Sequence, residues 1–186
     1  MIHHIDVHTV LQRCVCDLYS NLVTRPTGVA VRTGIEQLLA AAPRQPTLTV
    51  IDFSNVGLLD YSCADEIVAK LLLQYVGEAG APEGYFLFRG INDAHADAIE
   101  AVLERHGLAL VAQRVGDARV HLLGVVDDGE RLAWEAIADR GLVSSAELAT
   151  AACFPVADAA QLLDALYRRR LVMQLDGGYV ALGGMQ

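Results

Sequence analysis

The sequence predicts an α/β domain followed by a small α+β unit, on three observations. Residues 47–53 form a nearly unbroken run rich in β-branched and aromatic residues, as strands buried on both faces do, and 85–89 read as another short strand. The stretches around them carry apolar residues three and four apart, the helical period. From residue 130 the pattern changes to three short helices and a hairpin. Strand–helix alternation of the first kind implies a mixed or mostly parallel sheet with helices packed on it.

Residues 6–23 mix Val7, Val10, Leu11, Val15, Leu18, Leu22 and Val23 with polar residues. One or two strands are expected there. The run His3-His4-Ile5-Asp6-Val7-His8 holds metal-ligand residue types at close spacing. A frayed, solvated terminus is the expectation and a transition-metal site the competing reading. Residues 24–28 make a turn. Residues 29–42 form an amphipathic helix with Val31, Ile35, Leu38 and Leu39 on one face, stopped by Pro43 and Pro46. After the strand at 47–53, a helix over 62–76 places Ala64, Ile67, Val68, Leu71 and Tyr75 on one side. A glycine-rich loop over 77–84 leads to the strand at 85–89. Asn92 or Asp93 caps a helix that runs to His106, with Ala98, Ile99, Val102 and Leu103 inward and Gly107 as its stop. Residues 108–114 and 119–125 form two strands around Gly116-Asp117.

Asp127-Asp128-Gly129 is a polar junction, which divides the chain into domains 1–126 and 127–186. Beyond it, a helix over 130–140 points Leu132, Ala133, Ala136 and Ile137 inward. Ser144 and Glu147 form a capping box that opens a second helix over 146–152. A third helix spans 155–169. Two strands, 171–175 and 179–182, flank the Asp176-Gly177 turn. Three helices and a hairpin make the winged-helix arrangement.

A chain of 186 residues, 53% hydrophobic and 20% charged, buries a real core and is globular. No apolar run reaches the roughly 18–20 residues of a membrane span. The N-terminus lacks the basic and apolar segments of a secretory signal. A cytoplasmic protein with no membrane partner is expected. Cys14, Cys16, Cys63 and Cys153 form no Cys-x-x-Cys pair, so packed small side chains are expected rather than disulfides or zinc ligands. The net charge of −9 divides into −5 over residues 1–126 (9 basic, 14 acidic) and −4 over 127–186 (5 basic, 9 acidic). Neither part is the basic body of a strong nonspecific nucleic-acid binder. Gly-x-Ser-x-Gly, the Walker loop, His-Glu-x-x-His and the Rossmann glycines are all missing from the sequence. The expectation is a non-enzyme with no cofactor and no metal.

Two stretches carry a family resemblance: Thr24-Arg-Pro-Thr-Gly-Val-Ala-Val-Arg32, and the strand Val50-Ile-Asp-Phe53 with the helix start Asp60-Tyr-Ser-Cys-Ala-Asp-Glu66. Over roughly residues 20–115 the chain resembles STAS-like domains, relatives of the anti-sigma factor antagonists, and within them a bacterial subgroup with a Ser/Ala-Asp-Glu helix start. In those antagonists an Asp-Ser-Ser-Gly stretch carries a phosphorylatable serine that controls binding to an anti-sigma kinase. The resemblance implies that Asp60 matches the Asp and Ser62 the phospho-acceptor. Tyr61 stands for the first serine and Cys63 for the glycine. It further implies a regulatory partner, a kinase or anti-sigma-like protein, and a STAS-like sandwich ahead of the winged helix.

At a helix start Ser62 lies near free N–H groups and the positive dipole end. Two readings stand: a plain helix cap, or a regulatory serine whose modification changes a docking surface formed with Asp60, Asp65 and Glu66. The same carboxylates also admit an acid/base or metal reading, which the dipole explains more simply. Arg25 and Arg32 are candidates for holding an anion or a partner's carboxylate. Cys63 is either a packed side chain or a thiol with its pKa lowered by the dipole. In the third helix of the second unit, Gln161, Arg168, Arg169 and Arg170 are the candidate DNA contacts. Asp158 and Asp164 on its exposed turns repel phosphate. Partner switching through protein contacts is the leading expectation. A DNA-binding regulator is the alternative, and a homodimer would pool the arginines.

Overall fold

The computed structural model describes residues 2–16, 18–42, 47–76 and 83–183. The expected helix stop at 43–46 and most of the loop at 77–84 fall outside those residues. Five strands form one sheet in the order β1-β2-β3-β4-β5: β1 (Ile2–Asp6), β2 (Leu48–Asp52), β3 (Tyr85–Ile91), β4 (Ala109–Arg114) and β5 (Val120–Gly124). The first four run parallel and β5 is antiparallel to β4. The α/β class and the mixed sheet are as the apolar runs indicate.

The first twenty residues depart from expectation. The run over residues 3–8 is not a frayed, solvated terminus: residues 2–6 pair in regular register with β2 from Ile2↔Leu48 to Asp6↔Asp52. Within residues 6–23, where one or two strands are expected, the chain instead forms a helix, α1 (Val7–Cys14). Asp6 ends the strand and caps the helix, its carboxylate accepting from the His8 amide at 3.0 Å and the Thr9 hydroxyl at 2.8 Å. Val7, Val10 and Leu11 are the buried positions at helical spacing. Because β1 alternates faces, His3 and His4 point apart and cannot share a metal. His4 instead meets the Arg89 guanidinium at 3.0 Å.

Four helical segments follow the strands: α1, α2 (Arg25–Ala40), the broken helix α3 (Tyr61–Ala64) to α4 (Lys70–Leu72), and α5 (Asp93–His106). Their apolar sides share one core with Ile5, Ile51, Phe53, Phe86, Phe88, Leu110 and Leu123 of the sheet. Each fully buried side chain of this size contributes about 1.5–3 kcal/mol relative to exposure. Thr24 caps α2 with Pro26 in its first turn, Asn92 caps α5, and Gly107 ends α5 at φ +64°.

The opposite sheet face is covered by the rest of the chain: α6 (Asp128–Arg140), α7 (Ser145–Ala151), α8 (Val156–Arg168) and the hairpin β6 (Val172–Leu175) and β7 (Gly178–Ala181). Leu48, Val50, Tyr85, Leu87, Val111 and Leu122 of the sheet share a second core with Trp134, Ile137, Leu163, Leu166 and Val180. Three helices and a hairpin thus form as the sequence suggests, and they sit on the sheet rather than hanging from it. Asp127, at the expected junction, is the N-cap of α6 in a capping box with Glu130; Ser144 and Glu147 repeat the device on α7.

Candidate functional site

The segment 54–60 carries the chain from β2 to the α3 start, and several bonds fix its course. The Gly57 amide donates to the Ser20 carbonyl at 2.7 Å, the Leu22 amide to Leu58 at 2.8 Å and the Asp60 amide to Leu22 at 2.8 Å. From α5, the buried His95 donates its Nε2–H to the Gly57 carbonyl at 3.0 Å. Segment 18–24 therefore lies beside 57–60 and shares its surface.

The helix cap is Asp60, not Ser62. The Asp60 carboxylate accepts from the Cys63 amide at 2.8 Å, and its backbone is extended. Ser62, half-buried one residue into the helix, donates its hydroxyl to the same carboxylate at 2.9 and 3.2 Å. Burial alone would raise the Asp60 pKa; the bonds from Cys63 and Ser62 outweigh it and hold the group below the usual carboxylate range. Cys63 contradicts the dipole reading. It is fully buried, its thiol lies 3.0 Å from the Thr24 carbonyl, and burial together with the Asp60 charge pushes its pKa up to about 11.

Asp65 and Glu66 are not surface carboxylates. They are 6% and 1% exposed and open a π-helical turn, Asp65–Ala69, in which all five residues are buried. That wider turn lies between α2 and α5, and π turns recur at functional positions. Arg25 reaches both carboxylates with one nitrogen, at 2.9 Å to Asp65 and 2.5 Å to Glu66. His106 lies 2.8 Å from the other Asp65 oxygen, and Lys70 and Arg32 approach Glu66 at 2.5 and 3.4 Å. Burial pushes both acids upward, but these hydrogen bonds and charges prevail and both stay below the ordinary range. Arg32 is further paired with Glu36 at 2.6 Å. The two arginines that the sequence offered to an outside anion are thus bonded to acids of this chain. Only Arg25 leaves much of its side chain in solvent, 46%.

The two hydrogen-bonded segments carry exposed apolar side chains. Leu18 is 92% exposed and Leu58 56%, and Tyr19, Val23 and Tyr61 are exposed as well. Arg105, at the end of α5, donates to the Tyr61 hydroxyl at 3.1 Å.

The arginine cluster of the second unit does not stay together. Arg168 is exposed and paired with Asp164 at 2.9 Å. Arg169 turns inward to Glu130 at 2.6 Å and to the Val125 carbonyl. Arg170, at φ +60°, donates to the Tyr75 carbonyl at 3.2 Å, with its guanidinium 5.6 Å from the ring centres of Tyr85 and Tyr167. Two of the three therefore fasten the C-terminal helices and hairpin to the segments around the sheet. Gln161 is exposed on α8, on a face that also carries Asp158 and Asp164.

Sequence reasoning missed Lys70 and His106 as partners of the buried acids. The spacing of Glu66 and Lys70, four apart on a helix, signals the first; nothing local signals the second, 41 residues from Asp65. A groove of about 530 Å³ lies away from this site, between β5, α6 and β7, lined by Arg119, Val120, Leu122, Arg131 and Trp134 among others. Among the described residues, no three His, Cys, Asp or Glu side chains are placed to hold a metal ion, and no helix is long and apolar enough to cross a membrane. Compared with protein-family models, curated proteins and solved structures, the chain finds no match.

Proposed function

We propose that this chain is a non-catalytic regulatory protein that works by exchanging protein partners, through a STAS-like domain whose docking surface surrounds Ser62. The observation that carries this reading is a serine bonded to the helix cap, at the end of a segment that exposes Leu58 and Tyr61 and is hydrogen-bonded to the segment that exposes Leu18 and Tyr19. Exposed apolar side chains gathered in one place mark interaction sites, whereas single ones carry no meaning. Phosphorylation of Ser62 would replace the O–H donor by about −1.5 to −2 charges set against the Asp60 carboxylate. Asp60 would then leave the Cys63 amide, and the surface would change in both charge and shape. In this reading the C-terminal unit is a winged helix used as a second protein interface. The DNA-binding alternative rests on Gln161 and Arg168 alone, since Arg169 and Arg170 are engaged within the chain. The carboxylates of Asp65 and Glu66, closed by Arg25, Arg32, Lys70 and His106, are assigned a structural role.

The test is capture from native cell lysate with wild-type and Ser62→Asp baits, read by mass spectrometry. A protein held by the wild type and lost by Ser62→Asp supports the switch. Identical partner lists from both baits reduce Ser62 to a helix residue without regulatory effect. Co-purified DNA that is released steeply with salt, and lost in Arg168→Ala, moves the function to α8.

A further inference from the structure

The two edges of the five-stranded sheet are treated differently. At the β5 edge the C-terminal unit closes in. The Leu122 carbonyl accepts from the Arg131 guanidinium at 3.4 Å, and Gly183 packs so tightly that a Cβ there would come within 2.6 Å of Val120. At the β1 edge that cover stops short. Leu48 on β2 is 2% exposed, yet Ile2, its register neighbour on β1, is 48% exposed. His4, beside the buried Val50, is exposed as well. Among the described residues nothing pairs with the outer side of β1.

Natural edge strands are blunted by lysine, proline, a bulge or an inward charge. The sequence Ile2-His3-His4-Ile5-Asp6 has no lysine, arginine or proline, and its register with β2 is free of bulges. Its only carboxylate, Asp6, is occupied in capping α1. In a chain of net charge −9 this edge is therefore a place where two copies can meet without setting free acids against each other.

We propose that β1 is a homodimer interface, in which two copies pair their β1 strands antiparallel about a two-fold axis and extend the sheet from five strands to ten. A two-fold perpendicular to the sheet keeps each face on its own side. Residues of one parity then meet residues of the same parity: Ile2, His4 and Asp6 on one face, His3 and Ile5 on the other. The register that uses the whole strand centres on His4, opposite His4 of the second copy. Closure at β5 ends growth at two copies, so the product is a dimer and not a fibre. Pairing five residues buries less than the roughly 1,200 Å² of a stable interface, so the association is reversible and depends on concentration.

The experiment is sedimentation equilibrium on the full chain over a wide dilution series, with Ile2→Lys and Leu58→Lys alongside. Both replaced side chains are exposed, so both variants fold, as circular dichroism would verify. The expected wild-type mass rises from 20.0 kDa towards twice that value with concentration. Ile2→Lys stays at the lower mass, Leu58→Lys dimerises like the wild type, and the amides of β1 gain hydrogen-exchange protection as the dimer fills. A wild type monomeric at every concentration overturns the proposal. So does a dimer lost in Leu58→Lys but kept in Ile2→Lys, which would put the contact on the surface around Ser62 instead.

Discussion

Ser62 donates its hydroxyl to both oxygens of Asp60, at 2.9 and 3.2 Å, while the same carboxylate receives the Cys63 amide at 2.8 Å. One acid thus joins the helix end to the serine beside it. Anything that alters Ser62 is felt at the cap, and loss of the cap is felt at Ser62.

Asp60→Ala should therefore destabilise the fold by about 1 kcal/mol, the usual cost of losing an N-cap. Ser62→Ala should cost less, because the bond from Cys63 to Asp60 survives it. Urea unfolding of the two variants checks the order. A larger loss in Ser62→Ala would contradict the capping role of Asp60.

Glu66→Ala removes the acid that Arg25, Lys70 and Arg32 all reach. Removing one partner from a buried pair costs about 3–5 kcal/mol, and the lower end, about 3 kcal/mol, is expected here because Arg25 and Lys70 can turn to solvent. The denaturation midpoint should fall accordingly. A change below about 1 kcal/mol would place the network among surface ion pairs.

Acid should weaken the fold through the same groups. Asp60, Asp65 and Glu66 have pKa values below their ordinary 3.8 and 4.5 in the folded chain. Above 4.5 both folded and unfolded chains carry these charges, and the full contribution is present. As pH falls further, the unfolded chain takes up protons that the folded chain refuses, and stability declines until the folded values are passed. Urea midpoints followed downward from neutral pH should show this fall, and Glu66→Gln should show a shallower one. Equal slopes in both proteins would contradict the assignment.

Cys63 should resist thiol reagents in the folded protein while the exposed Cys14 and Cys153 react. Its thiol is buried and its pKa is about 11. Peptide mapping after brief alkylation reads this directly. Rapid labelling of Cys63 under native conditions would contradict the packing described for it.

Much of this architecture can be read from residue patterns, and the exceptions have physical causes. Strands β2 and β3 are evident because burial on both faces leaves continuous apolar runs. Helix α5 is evident because Asn92 and Gly107 mark its ends. Strand β1 is hidden because an edge strand has one side in solvent, and its His3, His4 and Asp6 leave no continuous apolar run. The strand-like mixture over 6–23 misled because α1 spans only eight residues, too few to establish a period. Asp65 and Glu66 read as surface charge because their partners, Arg25 and His106, lie 40 and 41 residues away from Asp65. Close packing there has one sequence trace, Gly28. A Cβ on it would come 3.0 Å from the Cys63 Cα and 3.1 Å from the Glu66 Cβ.

Whether the surface around Ser62 meets a protein can be read in the native cell with a photo-crosslinking amino acid. Placed at position 58 it samples the exposed segment ahead of Ser62; placed at 161 it samples the outer face of α8. A discrete protein adduct should form from position 58 and disappear when Ser62→Asp is added. No adduct at 58, with DNA crosslinked from 161, would contradict the docking role of that surface.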